Sequence, residues 1–413
     1  MSRTMTAHHD PSSPTPTPGG GSAKRPDAAE LVARARAMVP LLREREEEAI
    51  SNRQVSPDII AAFKEAGFFR ILQPARYGGY EMSPATYCEV AKVLAEGCMG
   101  SAWVYGVVAV HNWQLALFDP QAAEDVWGED TSVLISSSYM PTGRATKAEG
   151  GYRFSGRWAF SSGSEHCQWV ILGANMVADD GNGQPEPYNF LVPRSDYAIV
   201  DTWQTMGLCP TGSNDIVVDD VFVPQHRVIR ERDMFNLDCP GHVANPGELY
   251  RIPFAQLFNR TVSTTSLGSL RRALEAFVDA TRQKRTTYTG VRVASDTMIQ
   301  EAVADAMLTL TDLEARLTSD LAELEARART GDWPIERRAQ LGHHTTAMVS
   351  RCVEAIDKLM LFSGGKAIYR GNVVQRAFLD IHCARAHVAN NPFPYARNLG
   401  ALAFGFENDC YDL

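Results

Sequence analysis

Hydrophobic periodicity changes twice along this chain, and those two changes constrain the fold more than any single motif does. From Asp27, apolar residues recur near a 3.6-residue period at Leu31, Val32, Ala35, Met38, Val39, Leu41 and Leu42, running into a charged helix end at residues 43–48. Ser56-Pro57-Asp58 and Ser83-Pro84 each read as a helix start with proline in the first turn, and residues 101–118 as a largely apolar, buried helix. From about Ser132 the texture turns to strands at residues 133–135, 151–156, 169–172 and 189–192, with turn clusters such as Asp179-Asp180-Gly181-Asn182-Gly183 between them. That pattern suits an antiparallel barrel or sandwich. After a Pro/Gly-rich loop at 239–247, helical faces return. Leu267, Leu270, Leu274, Phe277 and Val278 make one, Met298, Val303, Met307, Leu310, Leu313, Leu317, Leu321 and Leu324 a second, and Val353, Ile356, Leu359 and Met360 a third. Long antiparallel helices joined by short loops make a bundle. The expectation is an α+β protein: a flexible tail over 1–26, an N-terminal helical domain over 27–130, a β domain over 131–240 and a helical bundle over 241–413.

Composition narrows the function. The 413 residues are 45% apolar, enough for two or three contiguous cores, and the net charge of −9 argues against a nucleic-acid surface. No stretch approaches the roughly 18 to 20 apolar residues of a membrane span. Eight cysteines are scattered without a Cys-x-x-Cys pair, which suits reduced thiols in a cytoplasmic protein. Residues 11–22, PSSPTPTPGGGS, cannot bury enough apolar surface to order themselves. A small-molecule ligand is the expectation.

Two segments carry chemistry. Phe160-Ser161-Ser162-Gly163-Ser164-Glu165-His166 is followed some forty residues later by Gly207-Leu208-Cys209-Pro210-Thr211-Gly212-Ser213-Asn214-Asp215, with strand texture at Ile216, Val218, Val221 and Val223. Small hydroxyl residues and glycine let backbone N–H groups approach a flat ring or a phosphate closely; either segment alone also reads as a Gly/Ser turn. No Gly-x-Gly-x-x-Gly follows a strand, and neither a Walker lysine motif nor a Gly-x-Ser-x-Gly elbow is present. His382 and His387 are five apart with no carboxylate set, so no metal site is expected, and the His343-His344 pair reads as part of a solvated helix.

With Ile71-Leu72-Gln73-Pro74, Tyr77-Gly78-Gly79, Gly100-Ser101-Ala102-Trp103, His111, Ser136-Ser137-Ser138 and the run from Gln375-Arg376 through Asp380 to His387, the collinear order resembles the acyl-CoA dehydrogenase superfamily. Within it the match is to the two-component flavin-dependent monooxygenases, the branch that includes the oxygenase component of p-hydroxyphenylacetate hydroxylase. The resemblance implies an acyl-CoA dehydrogenase-like fold: N-terminal helices, a central antiparallel β domain and a C-terminal four-helix bundle, usually in a homotetramer. It also implies an oxygenase that takes reduced FMN (the first choice) or FAD and O2, and hydroxylates a phenolic or polycyclic aromatic through a C4a-hydroperoxyflavin. A separate NAD(P)H:flavin reductase would supply the reduced flavin.

By the same resemblance His111, Ser137 and His387 are catalytic, and Ser161, Ser162, Gly163, Thr211, Gly212, Ser213 and Arg376 hold flavin, Ser162 at N5. Trp103 and Trp113 are substrate candidates, though such aromatics are more often core. An acyl-CoA dehydrogenase, an N- or S-oxygenase and a non-catalytic flavin-binding protein stand as alternatives. Against the first, Val388 occupies the place of a glutamate base that the commonest dehydrogenases carry in a Tyr-Glu-Gly-Thr context.

Overall fold

The computed structural model describes residues 25–177 and 183–408; the tail read at residues 11–22 and most of the 179–183 turn lie outside the described residues. Five helices lead: α1 (Ala28–Asn52), α2 (Pro57–Glu65), α3 (Pro84–Ala95), α4 (Met99–Leu115) and α5 (Pro120–Trp127). The Ser83 hydroxyl caps α3 by accepting the Ala85 N–H at 2.9 Å, and Asp119 caps α5 in the same way. The charged stretch at 43–48 does not end α1. Its Glu46 pairs with Arg272 at 2.8 Å, and the helix runs on until Arg53 turns left-handed at φ 55. All 17 residues of α4 are buried, as an all-round apolar helix requires.

Seven strands follow: β1 (Ile135–Ala148), β2 (Gly151–Ser161), β3 (Trp169–Val177), β4 (Pro185–Pro193), β5 (Ala198–Val200), β6 (Asn214–Pro224) and β7 (Val228–Arg230), in the order β5-β6-β2-β1-β3-β4-β7. The sheet is mixed, which corrects the antiparallel expectation: β1 and β3 run parallel, with Ile135 opposite Trp169. The reason is the length of β1. Residues 144–148 form an antiparallel hairpin with β2, whereas residues 135–138 take β3 beyond a break in register between Ser138 and Thr142. The return strand β2 lies between them in the chain, so β3 re-enters in the direction of β1. Phe154 of β2 stacks on Phe190 of β4 at 4.3 Å, so the two halves face each other over a core that includes Trp158, Leu172, Val192 and Ile216.

Helices α6 (Glu231–Asn236), α7 (Phe254–Arg282), α8 (Thr297–Thr330), α9 (Ile335–Ser363), α10 (Val373–Arg385) and α11 (Phe393–Ala403) complete the chain. Leu267, Leu270, Leu274 and Phe277 are buried as their spacing requires. Met298 and Met307 are 62% and 57% exposed, because the buried stripe at the start of α8 runs through Ile299, Ala302 and Ala306 instead. Nor is His344 left on a solvated face: its ring lies 3.1 Å from Asp320, which also stands 3.7 Å from the fully buried Arg260. No helix among the described residues is long and apolar enough to cross a membrane.

Candidate functional site

Helix α4 carries two half-sites, one toward each end. Near its N-terminal half, Gly163 is left-handed (φ 69), and a Cβ there would stand 3.0 Å from Val104 Cγ1, so the turn after β2 closes onto α4 because the residue is glycine. The Gly163 N–H donates to the Thr211 carbonyl at 2.8 Å, joining this turn to the 207–213 loop. Gly100 of α4 lets Pro210 approach, and from α10 Asp380 Oδ1 accepts the Leu208 N–H at 2.6 Å. Burial pushes the Asp380 carboxyl up to about 7, against that N–H and the Arg376 charge one turn earlier.

Three hydroxyls meet between the two segments. Ser162 Oγ lies 2.7 Å from Ser213 Oγ, Ser213 Oγ 2.7 Å from Thr211 Oγ1, and Thr211 Oγ1 2.8 Å from the Leu208 carbonyl. A carbonyl can only accept, so Thr211 donates to it, Ser213 donates to Thr211, and Ser162 donates to Ser213. Ser162 Oγ is thereby left with lone pairs alone to offer a ligand. The neighbouring Ser161 hydroxyl is buried without a partner.

At the C-terminal half of α4, His111 Nδ1 lies 2.8 Å from the Ile135 carbonyl, so Nδ1 carries the hydrogen and Nε2 the lone pair. Nε2 is buried and unpartnered. Burial pulls the imidazole pKa down to about 4, with the Ile135 carbonyl opposing. Tyr139 stands edge-on to His111 with centroids 6.2 Å apart, and Phe254 and Phe258 pack on Tyr139 at 5.5 Å and 5.2 Å. Alternation along β1 puts Ser137 on the same face as Ile135 and Tyr139.

His387 has the opposite polarity. In the turn after α10 its Nδ1 accepts the Ala389 N–H at 3.1 Å, and burial pulls its pKa down to about 4, so the neutral ring carries its hydrogen on Nε2. The Trp103 ring stands 5.7 Å from it.

The residues at the first half-site fit a flavin. Two left-handed glycines, Gly163 and Gly212, leave the backbone approachable; the orphaned Ser161 hydroxyl needs a partner; and the hydroxyl chain ends in an acceptor. Phe160, 60% exposed, and Trp203 form an apolar rim beside it, their rings 6.1 Å apart. No group of three or more His, Cys, Asp or Glu side chains suited to a metal occurs among the described residues.

Comparison with known proteins decides the family. Residues 26–122 match the N-terminal domain of acyl-CoA dehydrogenase and residues 261–392 its C-terminal domain. The flavin-dependent monooxygenase oxygenase subunit HsaA of Rhodococcus jostii is 38% identical over 86% of this chain and 93% of its own length. The chain belongs to the oxygenase subunits of flavin-dependent monooxygenases. The p-hydroxyphenylacetate 3-hydroxylase oxygenase component of Acinetobacter baumannii is 30% identical over 94% of this chain and 92% of that protein. The crystal structure of the HsaA monooxygenase from M. tuberculosis superposes with a TM-score of 0.88 at 33% identity, covering 94% of this chain and all of that one.

For this monooxygenase the fold brings Ser161, Ser162, Gly163, Thr211, Gly212 and Ser213 into one cradle, with Arg376 on α10 one turn before Asp380, and sets His111 in a separate aromatic cluster, or cage, against Ile135 and Tyr139 of β1, the strand that carries Ser137. Trp113 is a layer further back: it is fully buried, stacks on Phe254 at 6.1 Å and donates its N–H to the Leu249 carbonyl at 2.9 Å. Sequence reasoning missed Tyr139 and Gln114. The signal was present, since Tyr139 lies two residues beyond Ser137 on a strand and Gln114 three beyond His111 on a helix, the spacings that share a face.

Proposed function

We propose that this oxygenase holds reduced flavin in the Ser162–Ser213–Thr211 cradle and uses His111 to draw on the O–H of a phenolic substrate, directing oxygen to the ring carbon ortho to that hydroxyl. Bound reduced flavin supplies activated oxygen taken from O2. Ser162 Oγ, an acceptor by virtue of the hydroxyl chain, matches the N–H that reduced flavin presents at N5 and that oxidised flavin lacks. FMN and FAD bring the same ring to this cradle, and competition between the two reduced forms distinguishes them.

The single observation that carries the catalytic reading is the His111 geometry. Its tautomer is fixed by the Ile135 carbonyl, burial keeps its ring neutral, and Nε2 is buried without a partner beside the Tyr139 ring. Such a lone pair accepts the phenolic hydrogen and raises electron density on the ring carbons. Ser137, two residues before Tyr139 on β1, is the second catalytic residue in this reading. His387, a donor at Nε2 beside Trp103, is the proton-giving residue in this reading.

No nicotinamide fingerprint is present in the sequence, so a separate NAD(P)H:flavin reductase completes the system. Phe160 and Met206, beside the two cradle segments in the chain, and Val388 and Phe393 are each at least 60% exposed, which supports a homotetramer in which neighbouring copies cover such apolar side chains. The test of the function is aerobic incubation of the chain with a reductase, NADH, flavin and a panel of phenols, with and without His111→Ala. Catechol-type products from the wild type and none from the variant support the reading; equal product from both removes His111 from the chemistry.

A further inference from the structure

The cage contains a second hydroxyl whose hydrogen is already committed. Tyr139 Oη donates its hydrogen to Gln114 Oε1. The Gln114 amide is therefore turned with its oxygen toward Tyr139, and its Nε2 points to Met234 Sδ at 3.7 Å, where sulfur serves as a weak acceptor. Tyr139 thus spends its one hydrogen on Gln114 and keeps lone pairs for anything beside it. Its neighbour His111 likewise offers only the Nε2 lone pair.

Charge reaches this cluster from one direction. Glu231, in the first turn of α6, raises Tyr139 beyond what burial does. What acts on His111 is burial and the Ile135 carbonyl. From α7 the packing residues are Phe254 and Phe258, which carry no charge. A negative oxygen placed here would face two sets of lone pairs and the field of Glu231, whereas an O–H would face acceptors.

We propose that Gln114 is a positioning residue for substrate selection: by binding the hydroxyl hydrogen of Tyr139 it keeps the cage lined with acceptors, so the aromatic substrate is taken up as the protonated phenol and not as the phenolate. This rests on the reading that the His111 cage is where the phenol binds. Gln114 touches no reacting atom; it acts through Tyr139. Replacing Gln114 frees the Tyr139 hydrogen to turn toward the ligand and stabilise a phenolate, an effect that loss of packing alone would not produce.

The probe is 4-nitrophenol, whose neutral and ionised forms differ in colour and which titrates near neutral pH. It is bound to the full chain freed of flavin, whose own absorbance would overlap. In the wild type the bound probe should remain neutral to a pH about one unit above its value in water, a tenfold shift in its ionisation. In Gln114→Met, close to glutamine in size, most of that shift should disappear. Tyr139→Phe, which removes the oxygen but supplies no new donor, should keep the wild-type shift while binding the probe more weakly. The proposal is overturned if bound probe ionises in the wild type as readily as in water, or if Gln114→Met keeps the full shift. Should Gln114→Met fail to fold by circular dichroism, the wild-type and Tyr139→Phe titrations decide alone. Probe binding that His111→Ala leaves untouched would instead locate the phenol outside the cage, which is failure of the functional reading and not of this one.

Discussion

The cradle and the cage hang from the same helix and are built by opposite means. At the cradle the polarity of Ser162 is set by a relay of hydroxyls ending on the Leu208 carbonyl, and Ser162 itself stays partly exposed. At the cage the polarity of His111 is set by one bond to the Ile135 carbonyl, and the ring is sealed from water. Both present acceptors. The cradle's acceptor can be satisfied by water until a cofactor displaces it, so leaving it open is inexpensive. The cage's acceptor has no such recourse, and an orphaned buried group costs roughly 1–3 kcal/mol until a substrate supplies the donor. Binding energy is thus stored where the substrate O–H goes, and exchangeability is kept where a flavin arriving by diffusion must enter and leave.

The largest effect that would break this comparison is expected at the cage. His111→Ala should slow hydroxylation by about a hundredfold to ten-thousandfold, the range of a positioned acid–base group, and lower product per flavin oxidised, with the missing oxygen appearing as hydrogen peroxide. Unchanged coupling by paired product and peroxide assays would make His111 a packing residue and the two half-sites equivalent.

Next in size is the acid limb of stability. The His111 pKa is about 4 in the fold against an ordinary value of 6.5, so the unfolded chain binds a proton that the native one refuses. Stability is therefore lost as pH falls from 6.5 through 4, by up to about 3 kcal/mol for this group. Denaturant unfolding between pH 4 and 7 should show a shallower loss in His111→Leu than in the wild type.

The cradle should show the reverse sign. Asp380 is raised from 3.8 to about 7, so its native carboxyl keeps a proton that the unfolded chain releases, and stability falls as pH rises from 4 through 7. Asp380→Asn retains an oxygen for the Leu208 N–H and should gain on the order of a few kcal/mol over the wild type at pH 8, a gain that is smaller at pH 5 and vanishes below pH 4. If both proteins unfold at the same denaturant concentration at pH 8, the carboxyl is charged in the fold and the contrast between the half-sites fails.

The smallest effect sharpens the comparison. Thr211→Val removes the anchor that orients the hydroxyl chain, freeing the Ser162 hydrogen to face a ligand. The preference for reduced over oxidised flavin, measured by anaerobic and aerobic titration, should shrink by roughly fivefold, about the worth of one hydrogen bond. An unaltered ratio would mean that the relay does not set the Ser162 polarity.

The two changes of period, the cap residues Ser83 and Asp119, the helical α4 and the glycines at 163 and 212 were all determined by the sequence, because each depends on local chemistry: side-chain spacing, one capping hydrogen bond, a backbone conformation that suits glycine. The family was legible for the same reason, since short motifs keep their order along the chain. What only tertiary structure decided is whatever depends on which group faces which. The parallel pairing of β1 with β3 follows from β1 serving two partners, and no strand pattern shows that. Continuation of α1 past its charged stretch depends on Arg272, some 230 residues away, meeting Glu46. The hydrogen on His111 sits on Nδ1 because of a carbonyl 24 residues further along the chain, and the polarity of Ser162 is fixed at Leu208, 46 residues on. A motif names which side chains are available; hydrogen-bond direction is a property of the completed network, because each donor has only one hydrogen to give and the acceptor that takes it is supplied by another part of the fold.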